Sequence, residues 1–311
     1  MAKNAPGKHY RNGITLVELL KRFPDNPTAE KWFIRHRWEH GIRCAYCDSE
    51  NVNTHAKHAT MPYRCRSCGK RFSVKTNSVM HASNLGYQKW VVAIYLILTS
   101  LKGVSSMKLH RDLGVTQRTA WHMLHRIRKA YDCANDVFAG KVEVDETFVG
   151  GRETNKHSKK KLRLGRGTVG KTVVAGLRQR GTNQVTARVV DGVDRQSLHG
   201  FIVKHTTPDT TVYTDQASAY DNLPRKHEIV AHSIGEYVRE QCHTNGIESF
   251  WAMLKRGYKG VYHKMSVKHL NRYISEFLGR HNRRRLDTHS QMADWVRCAA
   301  NKRLTYQELV A

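Results

Sequence analysis

The sequence predicts an α/β protein with two smaller modules ahead of its main sheet, on three observations. Two C-x2-C pairs stand seventeen residues apart near the N-terminus. Between residues 87 and 131 the apolar residues recur at helical spacing. Beyond residue 139 three strand-like runs are followed by a helix, a fourth strand and a later helix, an order that builds a sheet with helices packed on it. The expected organisation is an N-terminal helical and cysteine-bound domain over 1–80, a helical segment over 81–138, a larger α/β domain over 139–290 and a helical tail over 291–311.

In the first module, "CAYC" (44–47) and "CRSC" (65–68) have the spacing of a four-cysteine zinc site. Two tight knuckles each present two thiolates, and the hairpin between them folds the pairs around one tetrahedral ion. Cys44, Cys47, Cys65 and Cys68 are therefore expected to hold structural Zn2+, with Phe72 packed beneath it. Four unrelated buried thiols would be the alternative. Cys133, Cys242 and Cys298 read as ordinary small apolar residues. Arg43, Arg64, Arg66, Lys70, Arg71 and Lys75 surround the knuckles and favour phosphate contact. Ahead of them, "TLVELLKRFPDNPTAEKWFIRHRW" reads as short helices, one starting at "NPTAEKWF".

In the second module, "YQKWVVAIYLILTSLKG" reads as an apolar helix ending at Gly103, and "SSMKLHRDLG" as a shorter one closed by Gly114. "TQRTAWHMLHRIRKAY" begins at the cap Thr116. The last two resemble a helix-turn-helix, whose second helix would offer Gln117, Arg118, Thr119 and His122 to base edges. A helical packing module is the alternative.

The third module opens with "VEVDETFVGG" (142–151), three acids in four positions among valines. As a strand it points Val142 and Val144 to one face and Glu143 and Asp145 to the other. A polar basic loop follows, carrying Lys159, Lys160, Lys161, Arg163 and Arg166, and is expected to hold DNA by its phosphates. "KTVVAGLRQ" and "QVTARVVDG" are the next strands, "DRQSLHGFIVKHT" a helix, and "TTVYTDQASAY" a strand with Asp215 at its end. "HTNGIESFWAMLKRGYKG" is a helix carrying Asn245, Glu248 and Lys255. If the first and fourth strands are neighbours, Asp145 and Asp215 converge at one edge, and the helix can add Glu248. Three carboxylates so placed can bind two divalent cations, Mg2+ or Mn2+, which serve phosphodiester cleavage or strand transfer.

Charge agrees with such a partner. The 311-residue chain has 53 Lys+Arg against 26 Asp+Glu, a net charge of +27 and a pI near 10.0. That excess points to a polyanion, above all nucleic acid. The longest apolar run, "WVVAIYLIL" (90–98), is too short to span a bilayer. The first residues lack the apolar segment of a secretory signal, so a cytoplasmic location is expected, where disulfides are rare.

The ribbon "CAYC…CRSCGKRFSV", the strand "VEVDETFVGG", "VYTDQASAY", "HTNGIESFWAMLKRGYKGVYHKMS" and "HLNRYISEFLGRHNRRR" together resemble the transposases of the IS1595 (ISXO2-like) family over roughly residues 20–290. The resemblance implies a zinc ribbon followed by an RNase H-like, mixed-sheet DDE catalytic domain. It also implies transposition of a prokaryotic insertion sequence on double-stranded DNA. By motif match Asp145 is the first acid and Asp215 the second. The third position varies across the family between Glu and Asn, and this sequence offers both Asn245 and Glu248. Lys255 matches a basic position after the third acid. Synapsis of two element ends implies at least a dimer. A non-catalytic zinc-ribbon DNA-binding regulator is the first alternative, but it has no use for acids at strand ends. An RNase H-like nuclease is the second, and cleavage without joining would reveal it.

Overall fold

The computed structural model describes residues 13–132, 137–151, 153–162, 167–229 and 244–311. In chain order the elements are α1 (Leu16–Arg22), α2 (Asn26–Arg37), β1 (Val52–Asn53), β2 (Tyr63–Cys65), β3 (Arg71–Phe72), α3 (Tyr87–Thr99), α4 (Ser106–Leu113), α5 (Gln117–Ala130), β4 (Lys141–Val149), β5 (Thr172–Gln179), β6 (Val185–Val189), α6 (Arg195–His205), β7 (Thr211–Thr214), β8 (Lys226–Ile229), α7 (Asn245–Gly257), α8 (Val267–Asn282), α9 (Thr288–Ala299) and α10 (Tyr306–Val310). They fall into two compact units, Met1–Asp132 with Arg283–Ala311, and Cys133–Asn282. Cys133 and Cys242 lie outside the described residues, as do Arg163 and Arg166.

In the first unit local chemistry sets the helix ends. Thr15 and Glu18 form a capping box on α1, and Asp25 accepts from Thr28 N–H to cap α2, which starts at Asn26 as expected. α3 stops at Thr99, short of Gly103, because the chain turns extended at Ser100 and Gly103 N–H then closes a turn on the Ser100 carbonyl. Gly114 closes α4 in the left-handed conformation, φ +58°, and Thr116 caps α5 through Thr119 N–H. Trp90, Ile94 and Leu98 of α3 pack with Ala120, Leu124 and Ile127 of α5. α9 completes this core: Trp295 is fully buried, and its indole N–H donates to the Ile127 carbonyl, 3.2 Å. The tail is thus α9 and α10, and α9 is core to the unit that begins the chain.

The second unit is built on a five-stranded sheet in the order β6-β5-β4-β7-β8. β5 pairs antiparallel with both β4 and β6, while β4–β7 and β7–β8 are parallel. The first and fourth strands are neighbours, the condition the sequence left open for Asp145 and Asp215 to converge. β8, "KHEI", is a fifth strand that sequence reading missed, because its polar residues at the sheet edge show no apolar alternation. One face packs Val142, Val144, Leu177 and Val212 against Leu198, Phe201 and Ile202 of α6. The other packs Val149, Val174, Val185 and Ala187 against Ile247, Phe250 and Leu254 of α7 and Ile274 and Phe277 of α8. The face carrying Glu143 is therefore covered, not solvated.

Candidate functional site

The cysteine cluster is built by two copies of one turn. The residue after each C-x2-C, Asp48 and Gly69, has positive φ (+59° and +72°). Cys44 N–H donates to the Ser49 carbonyl (2.9 Å) and Cys65 N–H to the Lys70 carbonyl (3.0 Å), the same five-residue step in each knuckle. Tyr46 N–H and Cys68 N–H donate to the sulfurs of Cys44 and Cys65, both 3.4 Å. The Cys68 N–H draws the Cys65 thiol down to about 6, which favours a thiolate ligand. The four sulfurs lie within 4.8 Å of one another, with Cys44–Cys68 at 3.6 Å and Cys47–Cys65 at 3.7 Å. A tetrahedral ion with bonds of about 2.3 Å needs sulfur edges near ~3.8 Å, so the donor set fits zinc. Phe72 lies buried beneath the sulfurs with Tyr63, as expected.

Three of the six surrounding cations are engaged internally, Lys70 by its ammonium 4.8 Å from the Tyr46 ring centroid. Arg43 pairs with Asp48 (3.1 Å) and Glu50. Lys75 donates to the Ser83 and Leu85 carbonyls, 3.0 and 2.6 Å. Arg64, Arg66 and Lys70 are exposed. On α5, Gln117 is exposed and its amide reaches Ser106 Oγ, 2.9 Å. The Arg118 guanidinium lies 4.2 Å from the centroid of the Tyr306 ring of α10, and the His122 ring 5.5 Å from it. The C-terminal helix therefore touches two of the residues expected to read bases. Cys298 differs from an apolar filler, since Arg283 donates to its sulfur, 3.3 Å.

In the second unit, the register pairs Val142 with Val212 and Glu143 with Tyr213 on neighbouring parallel strands. The pairing ends there and β7 itself at Thr214, so Asp215 stands just past its strand while Asp145 lies in the middle of β4, and the two charges are near enough to interact. The Asp215 carboxylate accepts from Ala217 N–H, 3.2 Å, as the chain turns off β7. Burial raises the Asp145 carboxyl to about 7. The charges of Glu146, Asp215 and Glu248 add to the rise, and Glu146 N–H, donating to it, opposes. Glu146, on the opposite face, is also raised by burial, and accepts from the buried Tyr220 hydroxyl at 2.5 Å. Asn245 opens α7, and Glu248, one turn on, accepts from Thr244 Oγ1, 2.9 Å; both are exposed, as is Lys255. Among the described residues only the four cysteines gather as a metal-holding group, so Asp145, Asp215 and Glu248 lie near one another without closing into a compact cluster.

Sequence reasoning missed the role of Glu143. It is fully buried, pairs with Arg178 (2.8 Å) and Arg180 (3.1 Å), and accepts from Ile247 N–H at the start of α7, 3.0 Å. Arg180 stacks 4.0 Å from the Tyr213 ring on β7. One carboxylate thus ties β4, β5, β7 and α7, the elements that carry the three acids. Two glycines let α7 come this close. A Cβ on Gly176, the pair of Asp145 on β5, would stand 2.5 Å from the Trp251 ring, and one on Gly246 would fall inside the Arg178 guanidinium. The available signal was the alternation itself, which puts Glu143 on the face of Asp145.

Lys159, Lys160 and Lys161 are exposed, the first two on a short 3-10 turn, Ser158–Lys160. Glu153 pairs with Lys156 at 2.6 Å and accepts from Leu162 N–H, which folds the loop back on itself.

Residues 137–282 match the family model described as the ISXO2-like transposase domain. The chain is also 28% identical over 271 residues to an uncharacterized protein in transposable element ISH50 of Halobacterium salinarum, covering 83% of this chain and 91% of that protein. Among the described residues no helix is long and apolar enough to cross a membrane.

Proposed function

We infer that this chain, which carries an ISXO2-like transposase domain over 137–282, is a metal-dependent DNA transposase that cleaves the ends of an insertion sequence and joins them to target DNA. The observation that carries this reading is the parallel pairing of β4 with β7, which brings Asp145 near enough to Asp215, and to Glu248 of α7, for both charges to raise its carboxyl. The sheet order β6-β5-β4-β7-β8 supports an RNase H-like domain.

A buried carboxyl held up to about 7 partly by other carboxyl groups is a site short of positive charge, and a hard divalent cation supplies it. Asp145, Asp215 and Glu248 would hold Mg2+ or Mn2+, which when bound neutralises the phosphate and activates the attacking oxygen. The chain's own residues do the positioning. The parallel pairing of β4 with β7 holds Asp145 near Asp215, and Glu143 fixes the start of α7 and with it Glu248. Lys255, seven residues on, brings an ammonium along the same flank for a DNA phosphate. Asn245 fits a DNA-contacting role. The exposed Lys159, Lys160 and Lys161 would hold the backbone, and joining two ends calls for at least a dimer.

The test is incubation with DNA carrying candidate element ends, with and without Mg2+. A transposase gives metal-dependent cleavage followed by joined products. Cleavage without joining would make it a nuclease, and binding without cleavage a regulator.

For the cysteine cluster we infer structural zinc, with all four positions closed by protein. Cys44→Ser/Cys65→Ser should lose one equivalent of zinc and unfold β1–β3, since metal binding and folding of so small a module are coupled. Metal analysis decides: a full equivalent retained by the double variant would refute the site.

A further inference from the structure

Beyond the acids, the second unit holds a cleft of about 450 Å3, of which the reading above uses only Lys255. Phe148, Leu254 and Tyr258 line it together with Lys171, Lys255 and Lys259, and among the described residues no acidic one does. Phe148 lies three residues beyond Asp145 on β4, about 10 Å along the strand. Lys255 and Lys259 are exposed, while Phe148, Lys171 and Tyr258 are half-buried. Tyr258 begins a π-helical turn, Tyr258–Tyr262, closed by His263 N–H on the Tyr258 carbonyl at 2.7 Å. Such turns are rare and cluster at functional sites.

Resting on the transposase reading, we propose that this cleft takes one unpaired nucleotide of a DNA strand. Its base stacks on Tyr258 and Phe148, and the flanking phosphates lie on Lys171, Lys255 and Lys259. Charge complementarity selects a polyanion, and concavity selects its form. A duplex keeps its bases stacked inside and offers a basic surface only phosphates, so it has no use for an apolar hollow with aromatic walls. A single strand presents base faces and phosphates together, which is what aromatic platforms beside a basic rim bind. The volume is that of a small-ligand pocket, large enough for a base turned out of its stack.

The test uses the full chain in EDTA, so that binding is read apart from cleavage. The probes are a fluorescent oligothymidylate 12-mer, the same length with a central 2-aminopurine, and a 20-base-pair duplex. Tyr258→Ala should weaken binding of the single strands about tenfold and abolish 2-aminopurine quenching, with duplex binding unchanged. Tyr258→Phe should retain both, which guards against a folding artefact. Lys171→Ala/Lys259→Ala should lower the salt slope for the single strand by about 1.4, the value for two phosphate contacts. Equal weakening of single strand and duplex by Tyr258→Ala, or unchanged quenching, would overturn the proposal and leave only a basic track. Failure of the transposase reading shows separately, as absence of Mg2+-dependent cleavage and joining by the unaltered chain.

Discussion

Glu248→Ala is expected to lower strand cleavage and joining by about 10^3-fold, the scale of removing one electrostatic stabiliser from a reacting centre, with DNA binding intact. Asp145→Ala and Asp215→Ala should do the same. Asn245→Ala should stay within about tenfold of the unaltered chain, or ~1.4 kcal/mol. The two positions are one helical turn apart and both exposed, so exposure does not separate them. Charge does. A carboxylate brings full charge to a hard cation where an amide brings a dipole, and Glu248 is among the groups that hold the Asp145 proton on. Single-turnover assays with Mg2+ on pre-formed complexes decide. An inactive Asn245→Ala beside an active Glu248→Ala would move the third ligand back one turn.

The second large effect is on stability. Glu143→Ala should destabilise the second unit by about 3–5 kcal/mol, because it removes the carboxylate that two nearly buried guanidinium groups share. Against a typical domain stability of about 5–15 kcal/mol, that is a large share. Glu143→Gln, which keeps an acceptor for Ile247 N–H and loses only the charge, should cost less. Hydrogen exchange resolved by peptide distinguishes the units: protection should fall in β4, β5, β7 and α7 and persist in α3 and α5. Uniform protection in both variants would show that α7 is seated by its apolar contacts alone.

These two residues mark where the sequence was legible and where it was not. Periodicity identified β4 through β7 in their order, because apolar alternation is a local property, but Asp145 lies in the middle of β4 and not at its end, because the strand runs on through Phe148 and Val149 to pair with β5. The cysteine spacing was equally local, and the structure brings all four sulfurs together. Glu143 was passed over because an acid in a strand reads as solvent-facing until the helix that covers it is known. That helix begins a hundred residues later, and only Gly176 and Gly246 hint that something approaches so closely. β8 escaped for the opposite reason: a polar edge strand has no apolar signature. Arg118 and His122 were readable as an exposed helix start, but not the Tyr306 ring beside them, because a contact across some 180 residues leaves no mark in either segment. Arg43 is engaged by the carboxylates of Asp48 and Glu50 at its own knuckle, and Lys75 by two carbonyls eight and ten residues further on.

The burial of Trp295 between helices made near the start of the chain has a consequence for biosynthesis. The ribosome delivers residues in order, and domains generally fold as units during synthesis. The contiguous stretch 133–282 can close its sheet once it has emerged. Residues 13–132 emerge earlier, yet lack α9 until residues 288–299 follow the second unit. The earlier segment is therefore the later of the two to acquire its complete interior, so a nascent chain would close the sheet carrying Asp145 before the helix pair carrying Gln117 and Arg118 is fully supported.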